Sequence, residues 1–453
     1  MTNQSAKTAV RARALRGSLL GAALMSYCLA AWPIDLLQSH QAAQRNDASL
    51  RASRANAEAG RERLPQAEAQ LRPSVSINAS HFTNELATND VVTGVDAPLK
   101  RYESNSANIT VRQPLIRTSL IAQVRQASAQ VDDVNASLRR DEQNLAVRLV
   151  GAYLDALGTA DQLALVVAQR AFYTAQLDSA RKMFAAGSGT RTDIDEVQAR
   201  LDMVAAFELE ARQNVGYAKR QLQALVGEPV ETLATLNVAK LELAPPQPES
   251  VEGWIERAEQ NSPEMRMAKA QLDAAVQGID KAKAGHHPTL DGVLQWTRSD
   301  RDNTSQPNTR STNASLGVQL TIPLFAGGYV NSTVRQALAE RDRAQEALES
   351  LRLDLGVRVH KEFRGITEGI LKIRALEQAV RSADQVVLSN QKSFAAGSRT
   401  VVDILNAEQQ RTVTLRDLAQ ARYLYLLSRV KLLALVDAAD SPAMTELNAS
   451  FQN

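Results

Sequence analysis

The most constraining feature of this 453-residue sequence is that its pattern occurs twice. The segment that starts at Lys182 and contains Phe-Ala-Ala-Gly-Ser recurs from Lys392, at an offset of 210 residues that also aligns more distant segments. A register kept over such a length indicates a tandem duplication. We therefore predict a first structural repeat at 31–240 and a second at 241–453, joined near the proline-rich segment 244–249.

Each repeat has the same order of elements: a helical stretch, two short strands, a very long helix, a Gly-Ser turn and a last helix. Strands are predicted near 74–82 and 105–113 in the first repeat, and near 289–297 and 312–322 in the second. Apolar and polar residues alternate in these segments, which is typical of a strand with one apolar and one polar face.

The strands have nearly the length of a tilted transmembrane β-strand, about nine to eleven residues. A half-buried hairpin of a soluble protein would show the same alternation. The connecting loops, 83–104 and 298–311, are long and polar, as at the outer end of an outer-membrane barrel. Four strands cannot close a barrel, and open edges are not tolerated in lipid, so strands must be pooled between copies of the chain. Two copies would supply eight strands and three copies twelve.

Two long helical stretches, 117–186 and 329–396, carry apolar residues at heptad-like spacing. Each would be about 100 Å long if continuous, at about 1.5 Å per residue. An ordinary helical bundle would require both stretches to break. Proline is absent from both, but glycines that permit bends occur at Gly151, Gly158, Gly356, Gly365 and Gly369.

The first thirty residues have the pattern of a secretory signal peptide, 1–30, with four basic residues, an apolar run and small residues before the cleavage point. A basic nucleic-acid-binding arm and a lipid-modified start at Cys28 are alternatives. The formal net charge of +2 excludes a strongly basic nucleic-acid binder, so no nucleic-acid partner is expected. The single cysteine excludes an intrachain disulfide and a zinc site built on several thiolates.

Catalytic motifs are missing from the sequence. Of the five histidines only His286 and His287 are adjacent, and no acid lies close to them in sequence. The carboxylates are scattered among basic residues on predicted helices, which is typical of a solvated face. We therefore predict no enzymatic activity, no cofactor and no metal site.

The turn 394–407 and the helix segment Ala421-Arg-Tyr-Leu-Tyr-Leu-Leu427 resemble the turn and last helix of the TolC family of outer-membrane channel-tunnels. This resemblance covers nearly the whole mature chain. It implies a homotrimer with a twelve-stranded β-barrel, four strands per chain, continuous with a long periplasmic α-helical barrel. It further implies an export duct in the outer membrane, served by a periplasmic adaptor protein and an inner-membrane ABC or proton-driven transporter. The cargo could be protein, drug or both.

The resemblance also implies a periplasmic gate. Asp193 and Arg399 match an acid and an arginine that bond to each other across helices, and Asp403 matches an acid of the constriction. A second constriction acid falls at Asn406 and a gate tyrosine at Phe394, so a gate with fewer polar links is expected. The alternative role of Asp193 and Asp403 is that of helix N-terminal charges.

The two Gly-Ser turns would lie at the periplasmic tip and dock the adaptor. They are formed around Gly187-Ser188 and Gly397-Ser398. Simple helix reversal is the alternative role, because glycine supplies the positive φ that a tight stop needs.

Three functions remain open at this point. An export duct accounts for the strands and for the lack of catalytic motifs. A structural coiled-coil protein of the cell envelope would not need amphipathic strands. An exported enzyme would need clustered reactive side chains that the sequence does not contain.

Overall fold

The computed structural model describes residues 34–87, 91–92, 94, 99–301 and 309–451. The predicted signal peptide, 1–30, lies outside them. The chain forms two compact units, one made of the described residues up to 51 with 142–256 and 358–451, the other of 52–141 and 257–357. Each unit therefore takes segments from both predicted repeats.

The described helices and strands follow the order predicted for two similar repeats. In the first half they are α1 (Leu36–Asn46), α2 (Ala48–Arg61), α3 (Arg63–Ala69), β1 (Ser74–Leu86), β2 (Lys100–Ile116), α4 (Thr118–Ala185) and α5 (Arg191–Val226). In the second half they are α6 (Val251–Asn261), α7 (Pro263–Lys283), β3 (Thr289–Arg301), β4 (Thr309–Thr321), α8 (Tyr329–Ala395), α9 (Val401–Leu435) and α10 (Ser441–Asn448).

The strands form one four-stranded antiparallel sheet in the order β1-β2-β3-β4. Each is longer than the sequence predicted, with 17 residues in β2 and 13 in each of the others. Polar pairs extend the ladder beyond the alternating core: Asn84 donates a hydrogen bond to Ser104 at 3.0 Å, where a loop was expected. β1 and β4 are the edges of this sheet within the chain.

Cross-strand partners lie on the same side of an antiparallel sheet, so the register defines two faces. On the apolar face, Ile77 pairs with Ile109, Ile109 with Trp296 and Trp296 with Ala314. The next row of that face, further from the hairpin loops, is Val75, Val111, Leu294 and Leu316. The polar face carries Asn78, Asn108, Thr297 and Asn313 in one row. The amphipathic sheet predicted from sequence is confirmed.

The long helices are continuous: α4 has 68 residues and α8 has 67. The glycines in them therefore do not break them, contrary to the possibility left open above. Some of these glycines instead leave room for a side chain of a neighbouring helix. A Cβ built at Gly158 would lie 3.5 Å from the ring of Tyr423, and one at Gly365 only 2.7 Å from the hydroxyl oxygen of Ser428. Both neighbours belong to α9, so these glycines let α9 pack closely.

Segments near both ends of the described chain meet the buried side chain of Tyr153. Its hydroxyl lies 3.1 Å from the carbonyl oxygen of Ile34 and 3.0 Å from that of Ala234. Phe451 packs edge-on against the Tyr153 ring, with 5.5 Å between ring centroids. Asn448 accepts a hydrogen bond from the backbone N–H of Leu36 at 3.1 Å, at the start of α1. This layer fixes the start of the first repeat, its end and the end of the second repeat together.

Candidate gate at the helix turns

The two Gly-Ser turns have the same geometry. Gly187 and Gly397 adopt φ values of +77° and +74°, which favour glycine. In each turn the following serine donates its backbone N–H to the carbonyl five residues earlier: Ser188 to Met183 at 3.0 Å and Ser398 to Ser393 at 2.9 Å. Gly187, Ser188, Gly397 and Ser398 are all exposed. Such turns reverse the helices and leave their tips open to solvent.

Asp193 and Asp403 stand at equivalent places, three residues after a threonine that caps the next helix. Thr190 donates its backbone N–H and its hydroxyl to Asp193 at 3.0 and 2.7 Å, and Asp193 returns its N–H to the Thr190 hydroxyl at 3.1 Å. Thr400 makes the same contacts with Asp403, at 2.9, 2.9 and 3.3 Å. These are capping boxes, which satisfy donors at a helix start.

Asp403 is stabilised in its charged form by groups of its own turn. Hydrogen bonds from the Thr400 backbone and hydroxyl, and then the Arg399 guanidinium, hold the pKa of the Asp403 carboxyl below its ordinary value. Arg399 lies 3.5 Å from Asp403 and is largely exposed. Within the described chain, Arg399 therefore pairs with the acid of its own turn, whereas the resemblance pairs it with Asp193.

Asn406 forms a link that sequence reasoning missed. Its side-chain oxygen accepts a hydrogen bond from Arg200 at 3.1 Å, which joins α9 of the second repeat to α5 of the first. Arg200 also donates to Glu196, one turn earlier in α5, at 3.2 Å. The charge expected at position 406 is absent from this sequence, but the position still carries an interhelical contact.

Phe394 packs against a buried cluster at the base of the turns. That cluster contains Tyr173, Ile194, Val401 and Leu405, among other apolar residues of α4, α5 and α9. Phe394 thus provides apolar contact where the resemblance expects a hydroxyl.

A buried polar link lies beside this cluster. Gln169 of α4 donates its side-chain amide to Gln409 of α9 at 2.7 Å and to the Tyr173 hydroxyl at 3.2 Å. Burial raises the pKa of Tyr173, so its hydroxyl stays protonated at neutral pH. No spacing in the sequence pairs two residues that are 240 positions apart.

Salt bridges also join the two helices of each hairpin. Glu208 of α5 is nearly buried and contacts Arg170 of α4 at 2.8 Å and Arg212 of α5. Hydrogen bonds from Arg212 and then Arg170 lower the pKa of Glu208. In the second hairpin, Arg411 of α9 binds Asp384 of α8. Each hairpin therefore has ionic contacts between its own two helices.

Among the described residues, no group of three or more His, Cys, Asp or Glu side chains is placed to hold a metal ion. By length and composition, α4 contains a stretch apolar enough to cross a membrane, but core helices pass the same test. The sheet presents a clearer membrane signature, because its apolar face is continuous over four strands.

An amphipathic sheet with two open edges, carried by long helices with duplicated turns, defines the class of outer-membrane channel proteins. The sequence model of the family described as "Outer membrane efflux protein" matches residues 39–228 and 254–437. The chain belongs to this family, in which the TolC resemblance also places it, and it is an outer-membrane efflux or secretion channel protein with a periplasmic helical part.

Two curated relatives are named for protease secretion. The alkaline protease secretion protein AprF of Pseudomonas aeruginosa is 30% identical over 97% of this chain and 92% of the relative. The proteases secretion protein PrtF of Dickeya chrysanthemi is 28% identical over 92% of this chain and 91% of the relative. The outer membrane protein TolC of Escherichia coli is 28% identical over 95% of this chain and 87% of the relative.

Solved structures share the fold at lower identity. The chain matches CusC with a TM-score of 0.78 at 15% identity, covering 89% of this chain and 92% of that one. It matches the outer membrane protein VceC of Vibrio cholerae with a TM-score of 0.73 at 18% identity, covering 90% and 99%.

Proposed function

We propose that three copies of this chain form a passive export duct, in which their sheets close one twelve-stranded barrel. The observation that carries this proposal is the sheet: every described side chain of β4 is exposed, and several of them are large and apolar, such as Leu316 and Val318. Such a sheet is stable in lipid only when its edges are paired. Two copies would satisfy the edges with eight strands, but the family resemblance favours three.

The mature chain begins after a signal peptide at 1–30 and consists of the two repeats 31–240 and 241–453. The support for this division is that a Gly-Ser turn followed by a capping box occurs once in each half. As a conduit, the protein needs no catalytic residues, and the energy for export comes from an inner-membrane pump.

A structural coiled-coil protein of the envelope is the alternative. The two functions separate by purification: the duct requires detergent, and light scattering corrected for detergent gives a trimer mass. In planar bilayers the purified trimer conducts ions. A monomer released without detergent, with no conductance, contradicts the barrel.

Protein is the cargo that we favour, transported by an inner-membrane ABC transporter and its periplasmic adaptor. The support is that two relatives matched over more than nine-tenths of this chain are named for protease secretion. Drug efflux with a proton-driven transporter is the second candidate, supported by the name of the family. If protein is the cargo, deletion of the gene should remove a secreted protein from the medium and leave drug tolerance unchanged. Lowered drug tolerance with normal protein secretion would favour drug efflux instead.

The exposed turns are the proposed docking site of the adaptor. A Cβ added at Gly187 or Gly397 would meet nothing within 4 Å, so the tips have free space around them. Ala186→Trp with Ala396→Trp adds bulk beside both turns without changing the glycines. Export should fall while the trimer still forms, and Ala175→Trp, an exposed site on α4 away from the tip, should leave export unchanged. Normal export in the double variant contradicts docking at the turns.

The gate that we propose consists of Asp193, Arg399 and Asp403 near the turns, with Asn406 and Phe394 behind them. Its support is that two polar links, Arg200–Asn406 and Gln169–Gln409, join helices of different repeats, while Arg399 is exposed and lies 3.5 Å from Asp403. Links of this kind break at low cost, because exposed ion pairs contribute little.

A further inference from the structure

The apolar face of the sheet ends abruptly toward the hairpin loops. Trp296 belongs to the last row that is apolar on all four strands. In the next row, β1 and β2 carry the small residues Ala79 and Ala107, whereas β3 carries Arg298 and β4 carries Thr312. An exposed arginine therefore stands directly beyond the tryptophan on the same strand and the same face.

The row after that is polar and largely paired. His81 and Asn105 are hydrogen-bonded at 2.7 Å, and Asp300 forms an ion pair with Arg310 at 2.7 Å. Arg298 has no salt bridge to a described residue. With Asp300 and Arg310 cancelling each other, the two rows present one uncompensated positive charge.

These two rows enclose an open depression of about 460 Å³ on β1, β2 and β3. Ala79 and Ala107 leave space beside Arg298, because their side chains end at Cβ. His81, Asn105 and Asp300 form the side toward the loops. A group of headgroup size can therefore approach the guanidinium from the apolar face.

The position of Arg298 relative to a membrane follows from Trp296. Tryptophan is enriched at the membrane–water interface, and aromatic girdles border the apolar band of outer-membrane barrels. Arg298 lies two residues further along β3, or about 7 Å at about 3.4 Å per residue. Its long side chain can keep its stem on the apolar surface and its charge in the headgroup layer. Because the long loops mark the outer end of the barrel, this is the layer of the outer leaflet.

We propose that this depression binds the phosphate-bearing headgroup of an outer-leaflet lipid. A guanidinium binds a phosphate through two parallel hydrogen bonds, and a phosphomonoester carries about two negative charges. The acyl chains of the same lipid would cover Trp296, Leu294 and Leu316 on the apolar face. This inference rests on the proposed function in one respect, namely that the apolar face of the sheet contacts lipid.

The test uses the detergent-purified full-length trimer and native mass spectrometry with three probes: bisphosphorylated lipid A, enzymatically dephosphorylated lipid A and inorganic phosphate. Wild-type protein should retain the phosphorylated lipid with about tenfold higher affinity than the dephosphorylated lipid, as expected for one charge-assisted contact. Arg298→Gln should abolish this difference. Arg101→Gln should keep it, because Arg101 lies further out on the same face and is already paired with Glu85 at 3.6 Å.

Equal affinity of wild type for both lipids, or an unchanged preference in Arg298→Gln, overturns the proposal. Displacement of the lipid by inorganic phosphate at equal affinity also overturns it, because the site would then bind anions without need of a lipid. Trimer mass and bilayer conductance are measured for every variant. A conducting trimer without lipid preference refutes the lipid site alone, whereas a non-conducting monomer refutes the duct.

Discussion

Removing the side chain of Arg200 should open the duct. Arg200 belongs to α5 of the first repeat and donates to Asn406 of α9 in the second repeat at 3.1 Å. Its other contact, Glu196, lies in its own helix and cannot hold the two repeats together. Arg200→Ala therefore deletes one interhelical link near the turns and leaves both capping boxes intact.

The size of the effect follows from the exposure of this link. A hydrogen bond to a charged group contributes about 1.5–3 kcal/mol when buried, but the Arg200 side chain is 33% exposed and Asn406 is exposed. Solvent screening reduces the contribution to about 0.5–1 kcal/mol per copy. If three copies open together, about 1.5–3 kcal/mol is lost from the closed state, which corresponds to an increase in the ratio of open to closed channels of about 10- to 150-fold.

Single-channel recording in planar bilayers measures this change directly. Arg220→Ala is the matched control, because Arg220 is an exposed arginine of the same helix whose hydrogen bond goes to Gln223 in α5 itself. The Arg220→Ala control should have the same open probability as the wild type. Equal open probability in Arg200→Ala and Arg220→Ala would refute the role of this link in closure.

Three further outcomes are expected. Arg399→Ser should raise single-channel conductance, and Asp403→Ala should lower cation selectivity, since a ring of three carboxylates attracts cations; unchanged recordings from both would leave these residues as helix caps only. Gly365→Leu should lower the thermal stability of the trimer by about 1–3 kcal/mol per copy, measured by gel mobility after heating, because the new side chain collides with Ser428; a stable Gly365→Leu trimer would contradict the close packing. Because the folded pKa of Glu208 is lowered, its stabilisation is complete above the ordinary carboxyl pKa of 4.5 and is lost as pH falls through the lowered value. Glu208→Gln trimers should therefore lose less thermal stability than wild type between about pH 6 and about pH 3.5. An identical loss would contradict a stabilising role for the salt bridges of Glu208 with Arg170 and Arg212.

The fold could be predicted largely because the chain repeats itself. The duplicated Gly-Ser turn predicts two equivalent helix reversals, and the alternation in the strands predicts an amphipathic sheet. The strand ends could not be predicted, because polar pairs such as Asn84 with Ser104 continue the ladder without apolar alternation.

The glycines show where sequence reasoning fails. A glycine inside a helix can mark a bend or a close neighbour, and only the partner decides between these roles. For Gly158 the partner is Tyr423, whose hydroxyl is also bonded to Asp161, and for Gly365 it is Ser428. Tyr423 lies far from Gly158 in sequence, so no local pattern contains that information.

The candidate gate could be predicted in position but not in its contacts. The turn motif locates Arg399 and Asp403, and a threonine three residues before an acid is a recognisable cap. The link between Arg200 and Asn406 requires knowledge of which helices are neighbours across 206 residues of chain. The pairing of Gln169 with Gln409 depends on the same knowledge.

Cysteine cross-linking between the open edges tests the central claim most directly, namely that three sheets close one barrel. After signal cleavage the chain would lack cysteine, so each variant can carry just two cysteines on the polar face, one on each edge strand. The β1 cysteine replaces Ser76 or Asn78, and the β4 cysteine replaces Ser315 or Gln319. We predict that oxidised outer membranes contain a covalent trimer as the largest product for at least one of these pairs, because a third link closes the ring. Dimers alone, or a ladder that continues beyond three chains, would contradict closure by three copies.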